Sequence, residues 1–184
     1  MEAAAVRART CIRPLGPSLL AVVLAAGGCA PALDWREVRP AGSGVAAMFP
    51  CKPAGQARLV QLAKRTVRLE LHACNAGGAT WALAFADLDD PSRVGPALDE
   101  LRTAAAANLG APMDAGEALR VPGATPNPSS VRIALQGRAP DGRSLGERVG
   151  LFAKGLRVYQ ATVLGEHIDA EAAGTFFGSL RLTP

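Results

Sequence analysis

Apolar and polar residues alternate along residues 66–74, where charged residues separate Val67, Leu69 and Leu71. A period of two indicates a half-buried antiparallel strand. Residues 56–62 predict its hairpin partner, reached through a turn at residues 63–65. The same reasoning predicts further strands at residues 35–38, 45–49, 80–88, 131–136, 145–153 and 156–164.

A helical period replaces this alternation after residue 90. Asp89 and Asp90 precede Pro91, an acidic entry followed by a proline suited to the first helical turn. Gly110 stands where a glycine ends a helix. A second, short helix is predicted over residues 169–177, with Asp169 as its N-cap. Apolar residues of the first helix recur at spacings of three and four: Val94, Leu98, Leu101, Ala105 and Leu109.

The order of these elements predicts an α+β fold. Strands come first, then a long helix, more strands and a short helix. We expect an antiparallel sheet of about six to eight strands, with one long and one short helix packed on it. Residues 110–130 are rich in Ala, Pro, Gly and Ser. They predict a surface loop, within which residues 117–121 are compatible with one short strand.

The N-terminus follows a different pattern. A basic segment with Arg7, Arg9 and Arg13 leads into an apolar run that ends in Ala26-Gly27-Gly28-Cys29. This run is too short for a permanent membrane helix, which needs roughly 20 apolar residues. It resembles the signal peptide and lipobox of bacterial lipoproteins, with Cys29 as the lipidated residue.

This resemblance implies a division of the chain and a location. Residues 1–28 are the signal peptide, residues 29–34 a lipidated tether and residues 35–184 a single α+β domain. The N-terminal lipid anchors the protein to a membrane of the bacterial envelope. Ala30 resembles the residue that sorts lipoproteins to the outer membrane, facing the periplasm. The alternative is an ordinary secretory signal cleaved near Ala30, which gives a soluble periplasmic or secreted protein.

Two cysteines remain once Cys11 is removed with the signal and Cys29 is assigned to the lipid. The predicted hairpin brings Cys51 and Cys74 to the same end of the sheet. Disulfides persist in exported proteins, so we predict a Cys51–Cys74 bridge. The alternative is a redox-active or metal-binding pair, for which no C-x-x-C motif or cluster of ligands is present.

Charge excludes one class of partner. The chain has a formal net charge of +4, but three basic residues and one acidic residue belong to the signal, so the mature chain carries +2. No run of five or more basic residues occurs. We therefore predict no nucleic-acid partner.

Short motifs in the domain resemble a family of bacterial envelope proteins of PsbP/Mog1-like fold. Phe49-Pro50-Cys51-Lys52-Pro53 resembles an FPxxP segment at the end of an early strand. The segments at residues 155–160 and Phe176-Phe177, with the Ser179-Leu180 exit, match its later part. The resemblance spans most of residues 35–182. It implies an α/β/α sandwich and supplies no catalytic residue.

Candidate chemistry is sparse. His72 and His167 lack metal-ligand spacing, and Ser129-Ser130 lies outside any nucleophile motif. We predict no catalytic residue, no metal and no cofactor, and interpret both histidines as solvated. A group of five acidic residues also resembles a cation site. These residues are better explained by their positions at the start and on the exposed face of the first helix. This group is Asp87, Asp89, Asp90, Asp99 and Glu100.

Two functions follow. The first is a non-catalytic module that binds an unidentified protein or small ligand, or supports envelope assembly. The second is a periplasmic hydrolase-type enzyme whose site the sequence does not reveal. A pocket lined by His72 or His167 together with a second titratable group would favour the enzyme.

Overall fold

Ten strands and two helices occur in the computed structural model, which describes residues 33–113 and 115–183. The strands are β1 Arg36–Val38, β2 Val45–Phe49, β3 Ala54–Leu62, β4 Arg65–Ala76, β5 Ala79–Asp87, β6 Glu117–Ala118, β7 Val131–Arg138, β8 Ser144–Lys154, β9 Arg157–Gly165 and β10 Arg181–Leu182. The helices are α1 Val94–Leu109, preceded by a 3-10 turn at Pro91–Arg93, and α2 Ala170–Ser179. The predicted signal peptide and Cys29 lie outside the described residues.

Seven strands form the main sheet, in the order β3-β4-β5-β9-β8-β7-β6, and every neighbouring pair is antiparallel. The predicted α+β fold with an antiparallel sheet of six to eight strands and two helices is confirmed. The predicted strand at residues 117–121 is shorter than expected, because only Glu117–Ala118 pairs with β7.

The β3–β4 hairpin turns through Ala63 and Lys64, which both have positive φ (49° and 62°). This conformation is unfavourable for residues other than glycine. Helix α1 and the turn before it compensate, because a Glu100 carboxylate oxygen accepts a hydrogen bond from the Ala63 amide and Arg93 donates to the Ala63 carbonyl, each over 2.7 Å. Glu100 thus has a structural role beyond the exposed helix face.

A second sheet contains β1, β2 and β10. Sequence analysis predicted the strands β1 and β2, but neither β10 nor a separate sheet. Strand β10 joins the chain's end to β2 by pairing Leu182 with Val45. Helix α2 lies beside this sheet, and the Met48 amide donates a 2.8 Å hydrogen bond to Ser179 Oγ.

The main sheet is covered on both faces. Helix α1 packs on one face, where it contacts β7, β8 and β9, and this face also carries Ala84 and Ala86 of β5. Trp81, Leu83 and Phe85 point to the other face, against α2 and the second sheet. Strands β8 and β9 lie inside the main sheet, and most of their residues are buried on both faces.

Helix ends follow the predicted signals. Asp90 caps the 3-10 turn by accepting a hydrogen bond from the Ser92 amide over 2.8 Å, and Gly110 ends α1 with φ +58°. Asp169 caps α2 by accepting from the Ala172 amide over 2.7 Å. Neither α1 nor α2, the helices of the described ranges, is long and apolar enough to cross a membrane.

A disulfide joins Cys51 to Cys74, as predicted. Cys51 follows β2 of the small sheet, and Cys74 lies near the end of β4 of the main sheet. The bond therefore links the two sheets covalently across a separation of 23 residues. Both cysteines pack against the core between the layers.

Candidate functional site

A cavity of about 650 Å³ lies at the end of the main sheet where β5 begins and β9 ends. We call it the sheet-end cavity. Its lining comes from the β4–β5 turn, the first residues of β5 and β8, and the segment that leads from β9 to α2. The lining residues are Gly77, Gly78, Thr80, Arg143, Leu145, Leu164, Gly165, Glu166 and His167.

The floor of the sheet-end cavity is apolar. Leu164 pairs with Thr80 across the β5–β9 ladder, and residues paired across an antiparallel ladder point to the same face. Leu145 lies on that same face, where Leu145 and Leu164 both pack against the core beneath α1. The cavity is therefore an opening in the α1 side of the sandwich.

One wall of this cavity consists of glycines and therefore has no side chains. Gly77 and Gly78 form the β4–β5 turn with φ values of +58° and +73°. A Cβ on Gly165 would stand 2.9 Å from the Gly78 carbonyl oxygen. Larger residues at these positions would strain the turn or separate β5 from β9, so the wall presents backbone to the cavity.

Charged side chains form the rim. Arg143 donates one hydrogen bond to Asp141 and another to Glu166, each over 2.7 Å. The hydrogen bonds from Arg143 hold the pKa of Asp141 below its usual range, and the two carboxylates raise the pKa of Arg143. This network therefore contains one positive charge, on Arg143, and two negative charges, on Asp141 and Glu166. His167 lies beside this network and is exposed.

Glu147 is the functional candidate that sequence analysis missed. It lies on β8 directly opposite Leu164, and its residue is only 8% exposed. Burial raises the pKa of its carboxyl group from 4.5 to about 7. Within the described residues the carboxyl group has no hydrogen bond or ion pair. A buried carboxyl without a partner, beside a cavity, marks a candidate site.

The acidic residues that resembled a cation site are not brought together. Asp87 pairs with Arg157, Asp90 caps the 3-10 turn, and Glu100 binds the β3–β4 turn. Within residues 33–113 and 115–183, no group of three or more His, Cys, Asp or Glu residues is arranged to hold a metal ion. These carboxylates stabilise local structure instead.

His72 differs from the prediction of a solvated residue. Its strand face is the one covered by the second layer, so the imidazole is half-buried and stacks on Phe85 with centroids 6.1 Å apart. Gly55 on β3 leaves room for the ring, since a Cβ there would lie 2.9 Å from it. His72 does not line the sheet-end cavity and does not meet His167.

A second cavity of about 550 Å³ lies along the proline-rich loop. Its lining runs from Ala118 through Val121 and from Ala124 through Pro128, and it includes Ser130. Ser130 is buried, and its Oγ has no hydrogen-bond partner within the described residues. Among the described residues that line this cavity, Arg120 is the only charged one.

No family model, curated protein or solved structure matches the chain. Function is therefore inferred from the residues of this chain.

The sheet-end cavity is suited to binding. It combines an apolar floor, a backbone wall and a charged rim, the usual composition of a small-ligand site. The hydroxyl of Thr80 donates to Asn75 over 2.7 Å, and Glu166 is held by Arg143. Among the described lining residues, no hydroxyl or thiol is hydrogen-bonded to His167.

Proposed function

We propose that this chain is a bacterial lipoprotein, anchored to the outer membrane through Cys29, whose domain is a non-catalytic module that binds a small ligand in the sheet-end cavity. The observation that carries the proposal is the cavity itself, with its apolar floor of Leu145 and Leu164 and its charged rim. The periplasm is the proposed compartment, and no nucleic-acid partner is expected from the charge of the chain.

The Cys51–Cys74 disulfide supports export. Structural disulfides form and persist in the periplasm and outside the cell, and are rare where glutathione keeps thiols reduced. The export signal at residues 1–28 and the disulfide are independent features of the chain, one a targeting pattern and the other a covalent bond. Both favour the same compartment.

Under this proposal, the place where the tether joins the domain determines which end of the domain lies nearest the membrane. Leu33 lies against the β4–β5 turn, since a Cβ on Gly77 would stand 2.8 Å from Leu33 Cδ2. Three residues lie between Cys29 and Leu33, so the two are four residue steps apart, and an extended chain spans at most about 3.6 Å per residue. A lipid on Cys29 would therefore hold the cavity end of the domain within roughly 15 Å of the membrane surface.

Fractionation tests the anchor. Cys29→Ser should leave the protein soluble in the periplasm and abolish incorporation of labelled palmitate. Ala30→Asp, which keeps the cysteine, should retain the lipid but shift the protein from the outer to the inner membrane. A Cys29→Ser protein that still sediments with membranes would contradict the anchor and favour a peripheral or uncleaved protein.

Ligand binding is tested with 1-hexanol, a small apolar probe. Titration should shift the amide resonances of Gly77, Gly78 and Gly165, which report on the cavity wall. Leu164→Trp should fill the cavity and abolish these shifts. Leu59→Trp is the matched control, because Leu59 is 73% exposed on β3. Binding that survives Leu164→Trp would locate the probe elsewhere.

A periplasmic hydrolase-type enzyme is the second candidate. The observation in its favour is that His167 lines the cavity together with Glu166, a second titratable group. Its test is hydrolysis of activated esters and phosphoesters by the purified domain, with His167→Ala as the control. Turnover that His167→Ala abolishes would replace the binding proposal with the enzyme.

We also propose that the domain has the PsbP/Mog1-like α/β/α arrangement and a partner in the envelope. Helices α1 and α2 on opposite faces of the main sheet support the former. A crystal structure superposed on proteins of that fold tests it. Capture from solubilised membranes, compared between the wild type and Leu164→Trp, tests whether a protein partner depends on the cavity.

A further inference from the structure

We infer that the ligand of the sheet-end cavity carries a positively charged amine, and that Glu147 is the residue that binds this amine. The inference rests on the proposed function, because it names the charge of the ligand that the same cavity takes.

The position of Glu147 follows from strand register. Leu164 of β9 pairs with Thr80 of β5 on one side and with Glu147 of β8 on the other. These three residues form one row across the sheet, and all point to the α1 face. Leu145, two residues before Glu147, points the same way. Thr80, Leu145 and Leu164 all line the cavity. Glu147 is not itself a lining residue, but it lies next to two residues of the cavity floor, Leu145 on its own strand and Leu164 on β9.

Among the described residues, the side chains next to Glu147 in the sheet provide no cation or hydrogen-bond donor for its carboxyl group. Its neighbour on β7 is Leu135, its neighbour on β9 is Leu164, and the next residue of β8 on this face is Val149. The end of helix α1 lies over the next position of β7 on this face, because the Leu109 carbonyl oxygen would lie 2.0 Å from a Cβ on Gly137. Burying a carboxylate among aliphatic side chains is costly unless a cation or hydrogen-bond donor reaches it.

The cation is not supplied by the described part of the cavity. Arg143 and His167 are the basic residues in the lining, and Arg143 already binds Asp141 and Glu166. An ionised Glu147 therefore has no cation to pair with among the described lining residues, so the site is electrostatically complementary to a cationic ligand. An apolar body on the leucine floor and an ammonium group at Glu147 satisfy both features of the site.

Proton linkage gives the inference a distinctive signature. Burial raises the pKa of Glu147 to about 7, and an ammonium group binds the ionised form. Below that pH the carboxyl group must lose its proton before the amine binds. Affinity for the amine should therefore fall about tenfold between pH 8 and pH 6, whereas affinity for a neutral alcohol should not change.

The experiment compares hexylamine, which is protonated at both pH values, with 1-hexanol by titration of the Gly77, Gly78 and Gly165 amide resonances. On the wild type at pH 8, hexylammonium should bind at least about tenfold more tightly than hexanol, a difference expected for a charged hydrogen bond in a partly buried site. Glu147→Gln, which is nearly isosteric, should remove both this preference and its pH dependence. Glu147→Asp should retain part of the preference.

Glu117→Gln is the matched control, because Glu117 is an exposed carboxylate that an arginine, Arg132, already binds, and it lies outside the sheet-end cavity. This variant should keep most of the preference for the amine. Equal binding of the two probes by the wild type, or a preference that survives Glu147→Gln, would overturn the inference and leave the cavity as a neutral apolar site. If neither probe moves the three glycine resonances, the proposed function and the inference both fail.

Discussion

Arg157 forms a two-point ion pair with Asp87 across the β5–β9 ladder, with Nε donating to Oδ1 and Nη2 to Oδ2 over 2.6 Å each. The hydrogen bonds from Arg157 hold the pKa of Asp87 below its usual range. Nη1 of Arg157 donates to the carbonyl of Gly42, in the loop before β2, and the guanidinium lies 5.1 Å from the Phe85 ring centroid. Arg157 therefore connects the second sheet to the main sheet.

We expect Arg157→Ala to destabilise the domain more than Asp87→Ala. The ion pair alone is partly exposed and should contribute about 0.5–1 kcal/mol. Arg157→Ala also removes the Gly42 hydrogen bond and the cation–π contact, so it should cost about 2 kcal/mol. Urea unfolding at pH 7 measures both values. A larger loss for Asp87→Ala would contradict the role of Arg157 as the link between the sheets.

The Cys51–Cys74 bond should stabilise the domain by about 3 kcal/mol, mainly by restricting the unfolded chain. The double variant Cys51→Ala/Cys74→Ala avoids free thiols and should lower the midpoint of unfolding without changing the amide spectrum far from β2 and β4. Wild-type domain purified from the periplasm without reductant should contain no reactive thiol at these positions. Two reactive thiols would show that the bond does not form there.

Much of the main sheet is predictable because its hairpins are local. Alternation at Val67 and Leu69 assigns the face of β4, and a two-residue turn then determines its register with β3. The second sheet is different. Strands β1 and β10 contain three and two residues, too few for a period, and the pairing of Leu182 with Val45 joins opposite ends of the domain. Such pairing depends on tertiary packing, which short-range pattern does not encode.

The candidate site was only partly predictable for a related reason. His167 is visible as a residue type, but the Arg143–Glu166 pair joins two separate turns of the chain. Glu147 was missed because both faces of β8 carry a charge, Glu147 on one and Arg148 on the other. Only the packing of α1 reveals that the Glu147 face is the buried one.

Gly137 determines how closely α1 approaches β7. A Cβ at this position would stand 2.0 Å from the Leu109 carbonyl oxygen, which is backbone and cannot move independently of the helix. We expect Gly137→Ala to displace the end of α1 and to cost about 2–3 kcal/mol. Gly174→Ala is the control, since no atom lies within 4 Å of a Cβ there and Gly174 is exposed on α2. It should stabilise by about 0.5–1 kcal/mol, as alanine favours a helix.

Thermal and urea unfolding of both glycine variants test this packing. If Gly137→Ala left the free energy of unfolding unchanged, α1 could move away from β7 without loss of stability, and the close contact at Gly137 would not be required. The sheet-end cavity supplies a second readout, because α1 borders Glu147. Gly137→Ala should therefore change the titration of Glu147 as well as stability, whereas Gly174→Ala should change neither that titration nor the cavity resonances.

Glu147 should make stability fall as the pH rises. Its pKa is about 7 in the folded domain and 4.5 in its ordinary state, so the folded chain holds a proton that the unfolded chain releases between these values. The folded state therefore loses stability from about pH 4.5 upward, and the loss is complete above about pH 7. A pKa shift of this size corresponds to a loss of about 3 kcal/mol in the free energy of unfolding. This is an upper value, because the carboxyl group is not completely enclosed.

Glu147→Gln removes the charge and keeps the shape, so the variant should match the wild type near pH 4.5 and exceed its stability at pH 8 by about 2–3 kcal/mol. Urea unfolding at both pH values measures the difference, with Glu166→Gln as the exposed control that should show no such gain. A Glu147→Gln variant no more stable than the wild type at pH 8 would mean that the carboxylate is already compensated in the folded domain. Saturating hexylammonium should reduce the stability difference between Glu147→Gln and the wild type at pH 8, because an amine bound at Glu147 stabilises the wild type and not the variant.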